Sequence, residues 1–197
     1  FGIGFLFAPL FHTSMKYAAP VRKELCLRTI FNILGPLSNP AGANIQVLGV
    51  YRADLVEKLC SVLRNLGVKR ALVVHGIKDS LDEISITGPT KIAELKGEKI
   101  LNYTVTPADF GLRKGKLEDI KGGDALVNAS IIMKILKGEK SPRRDIVLMN
   151  ASGALFAAGI AKNFKEGVKI ASLSIDSGKA LDKLNKLIEF TNDTRSK

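Results

Sequence analysis

The hydrophobic positions change period along the chain, and each change marks an element. Residues 44–50 (NIQVLGV) are a short aliphatic and β-branched run, which predicts a buried strand. Residues 54–66 switch to a helical period. Leu55, Leu59, Val62, Leu63 and Leu66 fall on one face, and Gly67 stands where a helix would end. Residues 70–75 (RALVVH) return to a continuous apolar run, which suits a central strand of a parallel sheet. Strand, helix and strand in succession predict a βαβ unit. The expected fold class is therefore α/β, with a central, mostly parallel sheet flanked by helices.

Further on, residues 84–87, 91–96 and 100–105 read as short strands between Gly and Pro turns, an antiparallel excursion from the sheet. Residues 107–112 start a brief turn, and 117–123 read as a polar loop. Asp124 is placed to cap a helix over 125–137, with Gly138 closing it. Pro142 predicts the start of a helix over 143–161. Its small residues, Gly153, Ala154, Ala157 and Ala158 among them, suit close packing, and no chemistry is assigned to Asn150 on that helix. Helices over 165–175 and 179–190 are parted by Gly178, and the polar tail 191–197 is expected to fray. No internal repeat or low-complexity segment is present.

Composition narrows the class. The 197 residues are 46% hydrophobic and 25% charged, ordinary for a globular chain able to bury a sizeable core. No apolar run reaches the ~18 residues of a membrane span. The first eleven residues are apolar and aromatic but lack a basic leader and a small-residue cleavage site, so they are not read as a signal peptide. Cys26 and Cys60 have no metal-ligand spacing and are expected as free thiols in a reducing, cytoplasmic setting. The net charge of +11 comes from scattered lysines without interleaved aromatics. It is read as solubilising surface charge, with no nucleic-acid or membrane partner expected.

Two stretches carry candidate chemistry. Residues 21–40 (VRKELCLRTIFNILGPLSNP) hold Arg22 and Arg28 in a helical pattern, an apolar turn, a Gly35-Pro36 corner and an Asn39-Pro40 stop. A guanidinium beside a Gly-Pro wall suits a small planar anion, because its fork grips a carboxylate in two places. Spacing alone favours solvated helix charges and an ordinary turn. The second stretch follows the run at 70–75 and reaches Leu81-Asp82-Glu83. Ligands of open α/β sheets gather at the carboxyl ends of strands. Adjacent carboxylates there are hard-oxygen ligands of the kind Mg²⁺ uses together with substrate phosphates. A solvated loop is the default for an Asp-Glu pair, and His75 is read as structural, capping the strand end.

The wording of these stretches adds to this. FAPLFHTSMKYAAPVRKELCLRTIFNILGPLSNPA, running from residue 5 to 41, resembles the signature region of the anthranilate phosphoribosyltransferase family. The resemblance resumes at VVHGIKDSLDEIS (73–85), PADFGL (107–112) and GKALDKL (178–184), and so covers essentially the whole chain. It implies a large domain like those of nucleoside phosphorylases and phosphoribosyltransferases. It also implies transfer of the phosphoribosyl group from 5-phosphoribosyl-1-pyrophosphate to anthranilate, a step of tryptophan biosynthesis. Carried over residue by residue, Arg22 would hold the anthranilate carboxylate and Gly35 and Pro36 would lie against its ring. His12 and Tyr17 would stand near that pocket, and Asp82 and Glu83 would bind Mg²⁺. No general base is assigned.

Thr13-Ser14 stands where the family usually has Pro-Ala, at the pocket rim. The family's GTGGD and KHGNR strings are absent from these 197 residues. The chain, which starts at Phe1, is therefore read as the C-terminal α/β catalytic domain of a longer protein, inactive alone. Residues 21–39 are expected to pack on a small helical domain outside it, and the intact protein to be a homodimer. Three other readings are weighed: a pyrimidine nucleoside phosphorylase-like enzyme, a non-catalytic relic of the fold, and a basic nucleic-acid-binding domain that rests on net charge alone.

Overall fold

A computed structural model describes residues 2–6, 24, 34, 35 and 37–193. The chain divides into two compact units, Phe1–Ala43 and Asn44–Lys197.

In the first unit, Leu34, Gly35 and Leu37 have helical backbone, so Gly35 is part of a helical turn rather than a corner. The stop lies where it was expected. The Ser38 hydroxyl and amide both donate to the Leu34 carbonyl, at 2.7 and 2.9 Å. The Asn39 side chain accepts from the Ala41 amide at 3.0 Å, so a short polar side chain takes over from the helix as hydrogen-bond partner.

The second unit is a four-stranded sheet in the order β1-β2-β3-β4. It runs through β1 (Ile45–Gly49), helix α1 (Leu55–Asn65), β2 (Arg70–Gly76), β3 (Thr90–Lys96) and β4 (Lys99–Val105). A 3₁₀ turn (Pro107–Phe110) and five helices follow: α2 (Leu117–Ile120), α3 (Ala125–Leu136), α4 (Pro142–Ala157), α5 (Phe164–Asp176) and α6 (Lys179–Asp193). The βαβ unit is present, with β1 parallel to β2 and Val47 opposite Leu72.

The expectation of a mostly parallel sheet is corrected. β2–β3 and β3–β4 are both antiparallel, so the sheet is mixed. The excursion read at 91–105 is part of the sheet itself. No helix intervenes between β2 and β3 to carry the chain back across, and Gly97, at φ 60°, turns β3 tightly into β4.

β2 is buried along almost its whole length because both faces are covered. Its Ala71 and Val73 lie beside Leu95 and Ala93 of β3 on the face that meets α1, where the Cys60 thiol reaches the Ala93 carbonyl. Its Leu72 and Val74 join Ile92, Leu148, Met149 and Val168 in the main core. Cys60 is a buried free thiol whose pKa burial pushes up to about 11, so it is inert packing. Among the described residues β1 is an edge strand. Ile45 and Val47 stay 40% and 37% exposed, so it is less buried than its composition suggested.

The helical side follows its caps. Asp124 accepts from the Val127 amide at 2.9 Å, and Gly138 takes φ 93° after α3. α4 stops four residues before its predicted end, because Gly159 turns to φ 75° and Arg70 donates to the Phe156 carbonyl at 3.0 Å. Its small residues let neighbours in: a Cβ on Gly153 would stand 2.6 Å from the Ile84 side chain. α6 continues through Asp193, past the predicted start of the polar tail.

Arg144, 2% exposed, anchors α4 to α5. It donates to both carboxylate oxygens of Asp176, at 2.7 and 2.9 Å, and to the Gly138 carbonyl at 3.1 Å. The hydrogen bond from Arg144 holds the Asp176 carboxyl down at about 2. A lowered folded-state pKa contributes stability that is present above the ordinary value and lost as pH falls towards the lowered one. Melting temperature is therefore expected to drop between about pH 4 and pH 2, and Asp176→Asn to flatten that acid limb. Identical limbs in thermal melts of the two proteins would contradict the assignment.

Candidate active site

The site is built where β2 leaves the sheet. His75 Nδ1–H donates to the Val50 carbonyl at 2.8 Å, tying the ends of β1 and β2 together, so the imidazole is structural as expected. The chain then folds back on itself. The Gly76 amide donates to the Leu81 carbonyl at 2.8 Å, and a Cβ on Gly76 would stand 2.6 Å from an Asp79 carboxylate oxygen.

Asp79 gathers the loop. One of its oxygens accepts the Ser85 hydroxyl at 2.6 Å and the Thr87 hydroxyl at 2.5 Å, and the other accepts the Leu81 amide at 3.3 Å. The Thr90 hydroxyl accepts from the Ser85 amide at 2.9 Å, and the Ser85 hydroxyl from the Thr87 amide at 3.0 Å. Residues 84–87 are therefore a buried loop and not the strand read from their composition. Side chains, rather than a neighbouring strand, satisfy the backbone. Burial pushes the Asp79 carboxyl up, but these hydrogen bonds outweigh it and hold the carboxyl below its ordinary value.

Ser80, at φ 54°, is a non-glycine residue in the left-handed region. That conformation costs an L-residue roughly 1–2 kcal/mol, while glycine adds roughly 0.5–1 kcal/mol of unfolded-state entropy. Ser80→Gly is expected to stabilise the fold by about 0.5–1 kcal/mol, seen as a rise in melting temperature. A fall would mean that the loop does not hold this backbone.

Asp82 and Glu83 follow, and both are exposed. Gly49, at the end of β1, lies directly behind them. A Cβ there would overlap the Asp82 carbonyl oxygen, so the two backbones touch. Desolvation by the protein behind it, then the charge of Asp82, push the Glu83 carboxyl up from its ordinary value. Among the described ion pairs none includes either carboxylate. Beside Glu83 opens a groove of about 370 Å³, lined by Leu81, Ile131, Ile146, Val147 and Arg143.

Two adjacent, mutually repelling carboxylates that face solvent outside any described ion pair suit a divalent metal. Among the described residues no group of three or more His, Cys, Asp or Glu could hold one. Asp82 and Glu83 offer one or two carboxylate ligands, the number Mg²⁺ uses when it is shared with substrate phosphates and water.

Of the residues singled out in the sequence, the structure brings Asp82 and Glu83 together on one loop. His12, Tyr17, Arg22 and Pro36 lie outside the described residues. At Gly35 no described atom comes within 4 Å of where a Cβ would stand. Sequence reasoning missed Asp79, Gly49 and Asn150. Asp79 left a local signal, since Ser85 and Thr87 follow it within eight positions. The other two left none.

A mixed α/β sheet with an acidic loop at the carboxyl end of its parallel pair defines a class. The chain belongs to the glycosyl transferase family, whose a/b-domain model matches residues 1–181. Within that class it is similar to anthranilate phosphoribosyltransferases. It is 52% identical over 189 residues to that of Thermoanaerobacter sp. (strain X514), covering 96% of this chain and 56% of the relative. It is 54% identical over 192 residues to that of Geotalea uraniireducens (strain Rf4), covering 98% and 55%. The chain spans about half the length of the curated relatives it matches.

Solved structures agree. The anthranilate phosphoribosyltransferase of Thermus thermophilus superposes with a TM-score of 0.87 at 42% identity, covering 95% of this chain and 55% of that one. That of Saccharomyces cerevisiae in complex with PRPP and Mg superposes with a TM-score of 0.81 at 29% identity, covering 90% and 51%. Among the described residues no helix is long and apolar enough to cross a membrane.

Proposed function

We propose that the gene product containing this chain transfers the phosphoribosyl group of 5-phosphoribosyl-1-pyrophosphate to anthranilate, in tryptophan biosynthesis, and that this chain is its α/β part. One observation carries the reading. The likeness to anthranilate phosphoribosyltransferases at 50–54% identity runs through 96–98% of the chain and includes the Asp82-Glu83 loop. The finer fold reading, a large domain of the nucleoside phosphorylase and phosphoribosyltransferase kind, belongs to the same proposal.

In this reading the anthranilate nitrogen forms a bond to C1′ while the bond from C1′ to the pyrophosphate oxygen breaks. The amine loses a proton and pyrophosphate leaves. The nucleophile is a weak aromatic amine, so placing it contributes more than activating it, and no residue is assigned as base. Arg22 grips the carboxylate with its two-pronged donor set, and Gly35 and Pro36 bound the ring, with His12 and Tyr17 nearby. Asp82 and Glu83 hold Mg²⁺. When bound, the metal neutralises negative charge developing on the leaving pyrophosphate. Residues 21–39 pack on a small helical domain outside these 197 residues, and the active form is a homodimer. Further donors to the phosphates come from outside this chain, so the 197 residues alone are silent.

The test follows anthranilate fluorescence in the gene product that contains this chain. Addition of phosphoribosyl pyrophosphate and Mg²⁺ is expected to quench it, and omission of either to prevent the loss. A steady signal with both present would overturn the proposal.

A further inference from the structure

Asn150 projects from α4 into the turn that carries the acidic pair. Its Oδ1 accepts the Ile84 amide at 2.9 Å. Its Nδ2 donates to the Ile84 carbonyl at 3.0 Å and to the Ile146 carbonyl, one helical turn earlier, at 3.0 Å. The same Nδ2 lies 3.4 Å from Glu83 Oε2. One side-chain amide thus pairs with both backbone groups of Ile84, the residue directly after Glu83. Ile84 is itself fully buried and inserts over Gly153 of the same helix. On the other side the Gly49 backbone abuts Asp82.

The alternative partners for this loop are few. Asp79 holds Leu81, Ser85 and Thr87 and touches neither Glu83 nor Ile84 in the described hydrogen bonds. The segment at Glu83–Ile84 is irregular backbone, so it has no strand ladder to fix it. Asn150 is the side chain that fixes it, 66 positions away.

We propose that Asn150 is a positioning residue: its amide clamps Ile84 and faces Glu83, and thereby sets the direction of the metal-binding carboxylate. The inference rests on the proposed function, in which Asp82 and Glu83 bind the divalent ion. Groups that orient metal ligands from behind typically govern affinity by about 10–100-fold, because a ligand free to swing must be ordered when the ion binds.

The test measures Mn²⁺ binding, in the presence of phosphoribosyl pyrophosphate, from the loss of the free-ion paramagnetic resonance signal. It uses the gene product that contains this chain. Asn150→Ala is expected to weaken Mn²⁺ binding about tenfold or more, with the anthranilate KM unchanged at saturating metal. Asn150→Leu keeps the side-chain size and adds no charge but loses the bonds to Ile84 and Ile146. It is expected to move affinity in the same direction and serves if the alanine variant does not fold. Mn²⁺ affinity equal to or tighter than that of the unsubstituted protein, in whichever variant is soluble, overturns the inference, even if melting temperature falls. An Asp82→Asn, Glu83→Gln reference separates the two levels. If it too leaves Mn²⁺ binding intact, the metal reading of the loop has failed. If it alone abolishes binding, only the role of Asn150 has failed.

Discussion

Replacing Asp82 with Asn and Glu83 with Gln together is expected to reduce Mg²⁺-dependent phosphoribosyl transfer by about a thousandfold or more, while the protein melts no lower than before. The first half follows from the chemistry proposed for the loop. A metal that stabilises developing charge is worth several kcal/mol, and each ~1.4 kcal/mol is tenfold in rate. The substitutions keep the size of both side chains and remove their charge, so they take away the proposed metal ligands without opening a cavity.

The second half follows from electrostatics. The Glu83 carboxyl is pushed up by desolvation and by the neighbouring Asp82 charge. A group whose pKa is raised on folding contributes stability that is fully present below its ordinary value and lost as pH rises through the raised one. At neutral pH the ionised Glu83 carboxylate therefore opposes folding, and a neutral amide there relieves it. Any gain in melting temperature should appear near neutrality and fade in acid. Loss of activity together with a collapse in melting temperature would show instead that the pair holds the loop together. Stability given up at a functional site is a familiar trade.

Gly49→Ala is expected to cost about 3 kcal/mol and to lower the melting temperature by about 6–12 °C for a chain of this size. The backbone angle at Gly49 is not the reason, since it lies outside the positive-φ glycines. The reason is space. The added methyl would overlap the Asp82 carbonyl oxygen, and neither partner is a side chain that can swing away. Either β1 or the acidic loop must shift, so Mn²⁺ binding should weaken as well. Gly115→Ala is the matched control, because its Cβ would meet Ile86 at 3.5 Å or more, in ordinary contact. A Gly49→Ala protein with unchanged melting temperature would mean that the loop is not seated against β1.

Much of this arrangement was legible one residue at a time. The α1 helix with Gly67 after it, the apolar run of β2, the Asp124 cap and the Gly138 and Gly178 stops all depend on neighbours a few positions away, and all appear, but the face α1 buries is Val56, Leu59, Cys60 and Leu63, with Leu66 exposed. The acidic pair lies on the loop after β2, where the strand-helix-strand order put it. The errors came where side-chain hydrogen bonds or other elements overrode the local pattern. Residues 84–87 have strand-like composition, but Asp79 and Thr90 take their polar groups into a buried loop. The sheet is mixed because β3 returns beside β2 without a crossover helix. α4 ends early because Arg70, from β2, reaches the Phe156 carbonyl near its last turn.

The sequence by itself determined the α/β class, the order of most elements and the loop bearing Asp82 and Glu83, but not the helix at Leu117–Ile120, read as a polar loop, since hydrophobic period, caps and turn residues act over one or two helical turns. Only the tertiary structure decided how that loop is held. The Asn150 amide meets Ile84 across 66 positions, and Gly49 meets Asp82 backbone to backbone. An amide on a helix of small residues carries no mark of its partner. Its role exists only once α4 is packed on the sheet and the buried polar groups of the loop must each find a hydrogen bond.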